Sequence, residues 1–196
     1  SDITIYEMLG AYSTFANYGN YIKPEMIWRI EDGNSRLIKE VKPVLKEVMN
    51  ELYAYTMIDL MKGVADFGTG AGELGRRGVP KGIEIAAKTG TTQNNSDGWF
   101  MGITPNLATG VWVGWEDRAA HFYGTGEGQG AKMALPIWAI YMKKVWADKE
   151  LGITPEDKFV KPSNWTGNCA DLQGLGGYGD DGGLQTMDQI KNPKII

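Results

Sequence analysis

The chain has 196 residues, a formal net charge of −4 and a pI near 5.1, with 42% hydrophobic and 22% charged residues. Those values fit one globular domain with a real core, and the absence of a basic stripe argues against nucleic acid as a partner. No apolar run reaches the ~18 residues of a membrane span, and Cys169 and His121 each stand alone, which argues against a disulfide framework, a zinc site or a Ser–His–Asp triad. No metal and no cofactor are expected.

The opening stretch "SDITIYEMLGAYSTFANYG" begins without Met and without a secretory leader pattern, and predicts a helix over 4–17. Asp2 or Thr4 caps it, with Glu7 three residues beyond Thr4 completing a capping box. Apolar Ile5, Met8, Leu9, Tyr12, Phe15 and Ala16 recur at helical spacing, and Gly19 is the expected stop. "YIKPEMIWRIEDGNSRLIKEV" reads as a hairpin: Met26, Trp28 and Ile30 alternate, "DGN" turns the chain, and residues 37–41 return. A second amphipathic helix is expected over 47–64, ended by "DFGTGAGELG".

Three strands follow, over 83–91, 97–104 and 108–115, the last two joined by a turn at Thr104–Leu107 with Pro105 at its second position. Beyond the Gly-rich loop at 123–130, a helix over 131–148 is expected to cover the sheet through Leu135, Ile137, Trp138, Tyr141 and Val145. From about Thr154 the chain turns polar and Gly-rich without period, which divides it into a domain over 1–152 and a tail over 153–196. The fold class is α/β in the α+β sense, an antiparallel sheet flanked by helices, its three strands consecutive neighbours.

Most motif candidates yield to plain structural readings. "GTGAGELG" at 68–75 follows a helix and lacks the GxxxxGK[ST] frame, so it reads as a helix cap and loop, and "YGTGEGQG" fails likewise. Nothing fixes the separation of the acidic pairs Glu116–Asp117 and Asp180–Asp181, which read as solvated loop charge. Trp112 and Trp138 fall on apolar patterns and read as core.

The stretch "IEIAAKTGTTQNNSDGWFMGITP", residues 83–105, is different. On an extended strand Thr89 and Thr91 project to one side and Lys88 to the other. Two hydroxyls beside an ammonium form a carboxylate pocket, and Gly90 lets a ligand backbone lie against the strand. At a sheet edge, free N–H and C=O groups can pair with a peptide, and the Thr91 N–H can face a developing oxyanion. The candidate catalytic groups are Lys88 and the Thr91 N–H. The candidate substrate-binding residues are Thr89, Gly90, Thr91 and Thr92.

"AAKTGTTQNNSDGWFMGITPNLATGVWVGW" resembles the third active-site motif and following strands of the class A, bifunctional penicillin-binding proteins. "ITIYEMLGAYSTFANYGNYIKPEMI", "LMKGVADFGTGAG" and "GAKMALPIW" resemble neighbouring segments of that family, so the likeness spans roughly residues 2–148. KTG alone is weak, but its continuation into S-D-G-W-F-x-G-x-T-P and V-W-V-G is not shared by class A β-lactamases. The resemblance implies the C-terminal portion of the penicillin-recognising serine transpeptidase, β-lactamase-like fold. It further implies an extracytoplasmic enzyme whose parent is membrane-anchored, carries a glycosyltransferase, and acts on peptidoglycan stem peptides and β-lactams.

The family's chemistry also needs S-x-x-K and S-x-N motifs. The five serines, Ser1, Ser13, Ser35, Ser96 and Ser163, are followed three places on by Thr4, Ala16, Ile38, Trp99 and Thr166, so no nucleophile motif is present. "SDG" at Ser96 and "SNW" at Ser163 do not supply the second motif. The expectation is a fragment lacking the N-terminal half of its domain, inactive alone, with "ATGVWVGW" left as an apolar edge capable of self-association. Two rival readings are a non-catalytic peptidoglycan-binding scaffold and a D,D-carboxypeptidase or β-lactamase of the same superfamily.

Overall fold

The computed structural model describes residues 3–167 and the backbone of Lys194 and Ile195. Thr4 opens α1 (Ile5–Ala16): its hydroxyl accepts the Glu7 N–H, and Glu7 Oε2 accepts the Thr4 N–H at 2.9 Å. This is the expected capping box. Gly19, at φ +86°, turns the chain into β1 (Asn20–Ile22), and the β2 (Arg29–Glu31) and β3 (Leu37–Glu40) hairpin follows. β4 (Leu45–Glu47) returns to pair antiparallel with β1.

Two expectations shift here. Helical spacing extended the second helix back to Glu47, but that residue belongs to β4, whose partner lies more than twenty residues earlier. α2 (Glu51–Asp66) begins only after Asn50, whose side chain accepts the Leu52 N–H at 2.8 Å. The hairpin forms where expected but starts only at Arg29, after Met26 and Trp28, and both its strands are exposed, with Ile30 41% and Ile38 64% accessible. Alternation marks a face and does not provide a cover for it.

α3 (Ala71–Arg76) is a short helix inside the stretch expected to be loop. Its buried Glu73 carboxylate binds Arg77 Nε at 3.0 Å and Lys132 Nζ at 3.0 Å, and pairs with Arg76. The sheet comes next: β5 (Ala86–Thr91), β6 (Gly98–Thr104) and β7 (Leu107–Val113), all antiparallel neighbours as expected. Thr104 lies opposite Leu107, so Pro105 and Asn106 form the turn. β8 (Lys194–Ile195) pairs in parallel with Leu107 and Ala108 on the far edge of β7. Among the described residues no strand lies beside Thr109–Val113 on that edge.

The one-turn α4 (Thr125–Gly128) leads into α5 (Gly130–Ala147), which lies across one sheet face. Leu135, Trp138, Met142 and Val145 are buried there, with Trp138 edge-on to Phe100 at 5.2 Å and its Nε1–H on the Thr109 hydroxyl. Ile137, expected inward, is 50% exposed because the 3–4–3 spacing of the buried set leaves it off the stripe. On the other face α1 and α2 bury Ala16, Ile58 and Met61 against Ala86, Ile103 and Ala108.

The expected tail does not begin loose at 153. Ile153 is buried, Asp157 accepts from Asn106 Nδ2 at 2.7 Å, and the Phe159 N–H donates to Glu84 at 2.8 Å. Trp165 stacks edge-on against Tyr55 at 5.4 Å. These contacts are long-range, so local polarity did not reveal them. Cys169 and Asp180–Asp181 lie outside the described residues.

Glu73 clamps α3 to α5. Burial pushes its carboxyl up, but hydrogen bonds from Lys132 and Arg77 and the charge of Arg76 outweigh that and hold it below the usual carboxylate range. Glu73→Gln is expected to destabilise the fold by about 1–2 kcal/mol at neutral pH, the cations being partly solvated. A depressed carboxylate contributes stability above its unfolded pKa of about 4.3 and loses it as pH falls through the folded value. In denaturant titrations of both chains the gap should narrow as pH falls below about 4.3; a constant gap would contradict the clamp.

Candidate active site

Among the described residues β5 pairs only with β6, which makes it the terminal strand of its sheet. The Thr92 N–H donates to the Asp97 carbonyl at 3.2 Å, which sets the phase of the ladder. Bonded pairs alternate in antiparallel strands, so Gly90 and Lys88 face β6, while the N–H and C=O groups of Thr89 and Thr91 point out along the free edge. Lys88 Nζ confirms that phase by donating to the Thr89 carbonyl at 2.7 Å.

The side chains sort as the pleat dictates. Thr89 and Thr91 lie on the face that α5 covers, and Lys88 lies on the other, opposite Met101. Each hydroxyl has a fixed neighbour. The Gly130 N–H, first residue of α5, donates to Thr91 Oγ1 at 3.1 Å, and Thr69 Oγ1 stands 3.0 Å from Thr89 Oγ1. An N–H can only donate, so Thr91 accepts from Gly130 and keeps its own proton for a ligand. Gly130 has no room for a side chain, because a Cβ would run into the carbonyl oxygens of Gly90 and Trp99.

Thr92, the fourth residue expected to bind substrate, has its hydroxyl bonded within the chain. Its hydroxyl accepts the N–H groups of Ser96 and Asp97 at 3.1 and 2.9 Å and meets Ser96 Oγ at 3.1 Å. That closes the Thr92–Asp97 turn and commits the hydroxyl internally. Ser96 is buried in the same turn and bonded to Asn94 Oδ1 at 2.8 Å, which is no setting for a nucleophile. The loop before α4 is lashed to this turn through Asn94 Nδ2 to the Arg118 carbonyl at 2.9 Å and the Phe122 N–H to the Asn95 carbonyl at 3.3 Å.

On the Lys88 face the strand overlooks a trough of about 700 Å³, with Trp99, Met101 and Trp112 on its floor and Met8 and Tyr12 at its side. Trp112, expected in the core, is 42% exposed. It pairs across the strands with Trp99 on the face away from α5, where both line the open trough. Two residues escaped the sequence reading, Thr69 and Gly130. Their sequence signal is the pair of Gly-rich stretches read above as cap and loop, which overlap or adjoin the segments that resemble the family.

An antiparallel sheet beneath a long C-terminal helix, with Lys-Thr-Gly-Thr on its free edge, is the architecture of the penicillin-recognising serine enzymes. Residues 1–133 match the family described as the penicillin binding protein transpeptidase domain, and the chain belongs to that family. It is 32% identical over 165 residues to penicillin-binding protein 1A of Aquifex aeolicus, covering 81% of this chain and 21% of that protein. Penicillin-binding protein 1A of Neisseria gonorrhoeae is 34% identical over 140 residues, covering 68% of this chain and 16% of its own length. The chain thus spans about a fifth of the relatives it matches. The fold superposes on penicillin-binding protein 1A from Haemophilus influenzae with a TM-score of 0.68 at 24% identity, covering 82% of this chain and 28% of that one. On PonA1 from Mycobacterium tuberculosis the TM-score is 0.64 at 25% identity, covering 82% and 42%.

Gly130→Ala is expected to force α5 off the β5–β6 pair, costing about 1–3 kcal/mol as an overpacked contact. Urea unfolding and the Thr91 amide resonance should both move. A variant that matches the parent in both would show that the helix start does not hold the strand.

Proposed function

We propose that this chain is the Lys-Thr-Gly half of a serine-type D,D-transpeptidase that cross-links peptidoglycan stem peptides. The observation that carries the reading is the free edge of β5, where the outward Thr91 N–H lies beside two hydroxyls and the Lys88 ammonium. A stem peptide ending in D-Ala–D-Ala pairs along that edge as an added strand. Its terminal carboxylate takes protons from the Thr89 and Thr91 hydroxyls with Lys88 nearby, and the scissile carbonyl oxygen meets the Thr91 N–H.

The nucleophilic serine comes from a segment outside these 196 residues, since no serine here has the S-x-x-K context. Its oxygen attacks the carbonyl, the Thr91 N–H stabilises the oxyanion together with the serine's own N–H, and D-Ala departs. An amine of a neighbouring stem then takes the acyl group and forms the cross-link. β-Lactams occupy the same edge and are trapped at the acyl stage. Lys88 also keeps the serine–lysine proton network of the missing half polarised. The whole protein is extracytoplasmic, membrane-anchored and linked to a glycosyltransferase; no helix among the described residues is long and apolar enough to cross a membrane.

Labelled penicillin followed by denaturing electrophoresis tests the assignment. The complete protein should carry one covalent label and the 196-residue chain none; a stoichiometric band on the chain alone would place the nucleophile within it. The Thr109–Val113 edge of β7 yields a second expectation, because no strand among the described residues lies beside it and such an edge is a template for another strand. Light scattering of the isolated chain should show concentration-dependent association, relieved by adding the remaining half of the domain. A monodisperse monomer with a cooperative melt would rule that out.

A further inference from the structure

We infer that Thr69 is a positioning residue, which holds the Thr89 hydroxyl in the donor orientation that a substrate carboxylate requires. The inference rests on the transpeptidase reading above and adds a member to its site from the loop between α2 and α3.

That loop is held rigidly against the end of α2. The Gly68 N–H donates to the Gly63 carbonyl at 2.7 Å, and the Gly70 N–H donates to the Val64 carbonyl at 3.0 Å. A side chain on Gly68 would stand 2.9 Å from both the Gly63 oxygen and Val64 Cα. The Gly-Thr-Gly sequence therefore lies flush on the helix end and presents the one side chain between the glycines to β5. That side chain meets Thr89 Oγ1 at 3.0 Å.

A hydroxyl has one proton and two acceptor positions, and a carboxylate only accepts. With the site empty, either threonine can donate to the other. Once a carboxylate arrives, the Thr89 proton must turn to it, and the Thr69 proton must turn to Thr89. The Gly130 N–H already does the same for Thr91, permanently. Thr69 thus makes the two hydroxyls equivalent: each accepts from a neighbour behind it and donates in front. Successive donors in one direction also polarise each other, which strengthens the outermost bond. Thr69 itself is exposed and its loop is held by backbone bonds, so its hydroxyl contributes little to folding.

The test is acylation of the complete protein by labelled benzylpenicillin and by the corresponding methyl ester, whose carboxylate is blocked. Thr69→Val, which keeps the shape and loses the hydroxyl, should lower the second-order acylation rate for the free acid by about tenfold. The loss should fall on the concentration for half-saturation and leave the limiting rate intact. Thr69→Ser should restore most of it, and wild type and Thr69→Val should react equally with the ester. Full activity of Thr69→Val on the free acid, an equal loss on the ester, or a variant that no longer melts like wild type would each overturn the role. If wild type itself takes no label, the transpeptidase reading falls; if it labels and Thr69→Val is indistinguishable from it, only the role of Thr69 falls.

Discussion

Among the described residues β5 is paired on one side only, and the site depends on that. The Thr92–Asp97 bond sets the ladder phase, and that phase alone decides which backbone groups are consumed by β6 and which are left for a ligand. A shift of one residue would turn the Thr91 N–H inward and swap the hydroxyls with the ammonium. An unpaired edge is ordinarily an aggregation hazard. Here it is short, carries a charge at Lys88, and is flanked by the α2–α3 loop and the start of α5.

The surroundings of β5 act as fixed hydrogen-bond donors and volume limits. Gly130 lets α5 start against the strand and places an N–H on Thr91. Glu73 joins α3 to Lys132, two residues into the same helix, so the loop and the helix that flank the edge are tied together independently of the strand. Trp138, buried under β6 and β7, anchors the middle of the helix contact. Preorganisation of this kind fixes the donors before a ligand arrives, so that binding requires no reorganisation.

Corrections to the sequence reading have two origins. Ile137 follows from the angular phase of its own helix, which a count of apolar residues did not resolve. Trp112 and the segment 153–167 take their surroundings from distant residues: the open trough on the face away from α5, and Asn106 and Glu84. The β1–β4 pair was missed for the same reason, since a three-residue strand has no signal apart from its partner.

By itself the sequence determined the elements whose cause is local. The Thr4–Glu7 capping box, the "DGN" hairpin, the Pro105–Asn106 turn and the alternation of Lys88 against Thr89 and Thr91 all rest on neighbours in the chain. The family followed from the motif and its continuation. Only the tertiary structure decided which edge of the sheet stays free among the described residues, and that Thr69 and Gly130 stand behind the two hydroxyls. Hydrogen-bond direction and close approach are properties of groups twenty to forty residues apart, and no local pattern encodes them.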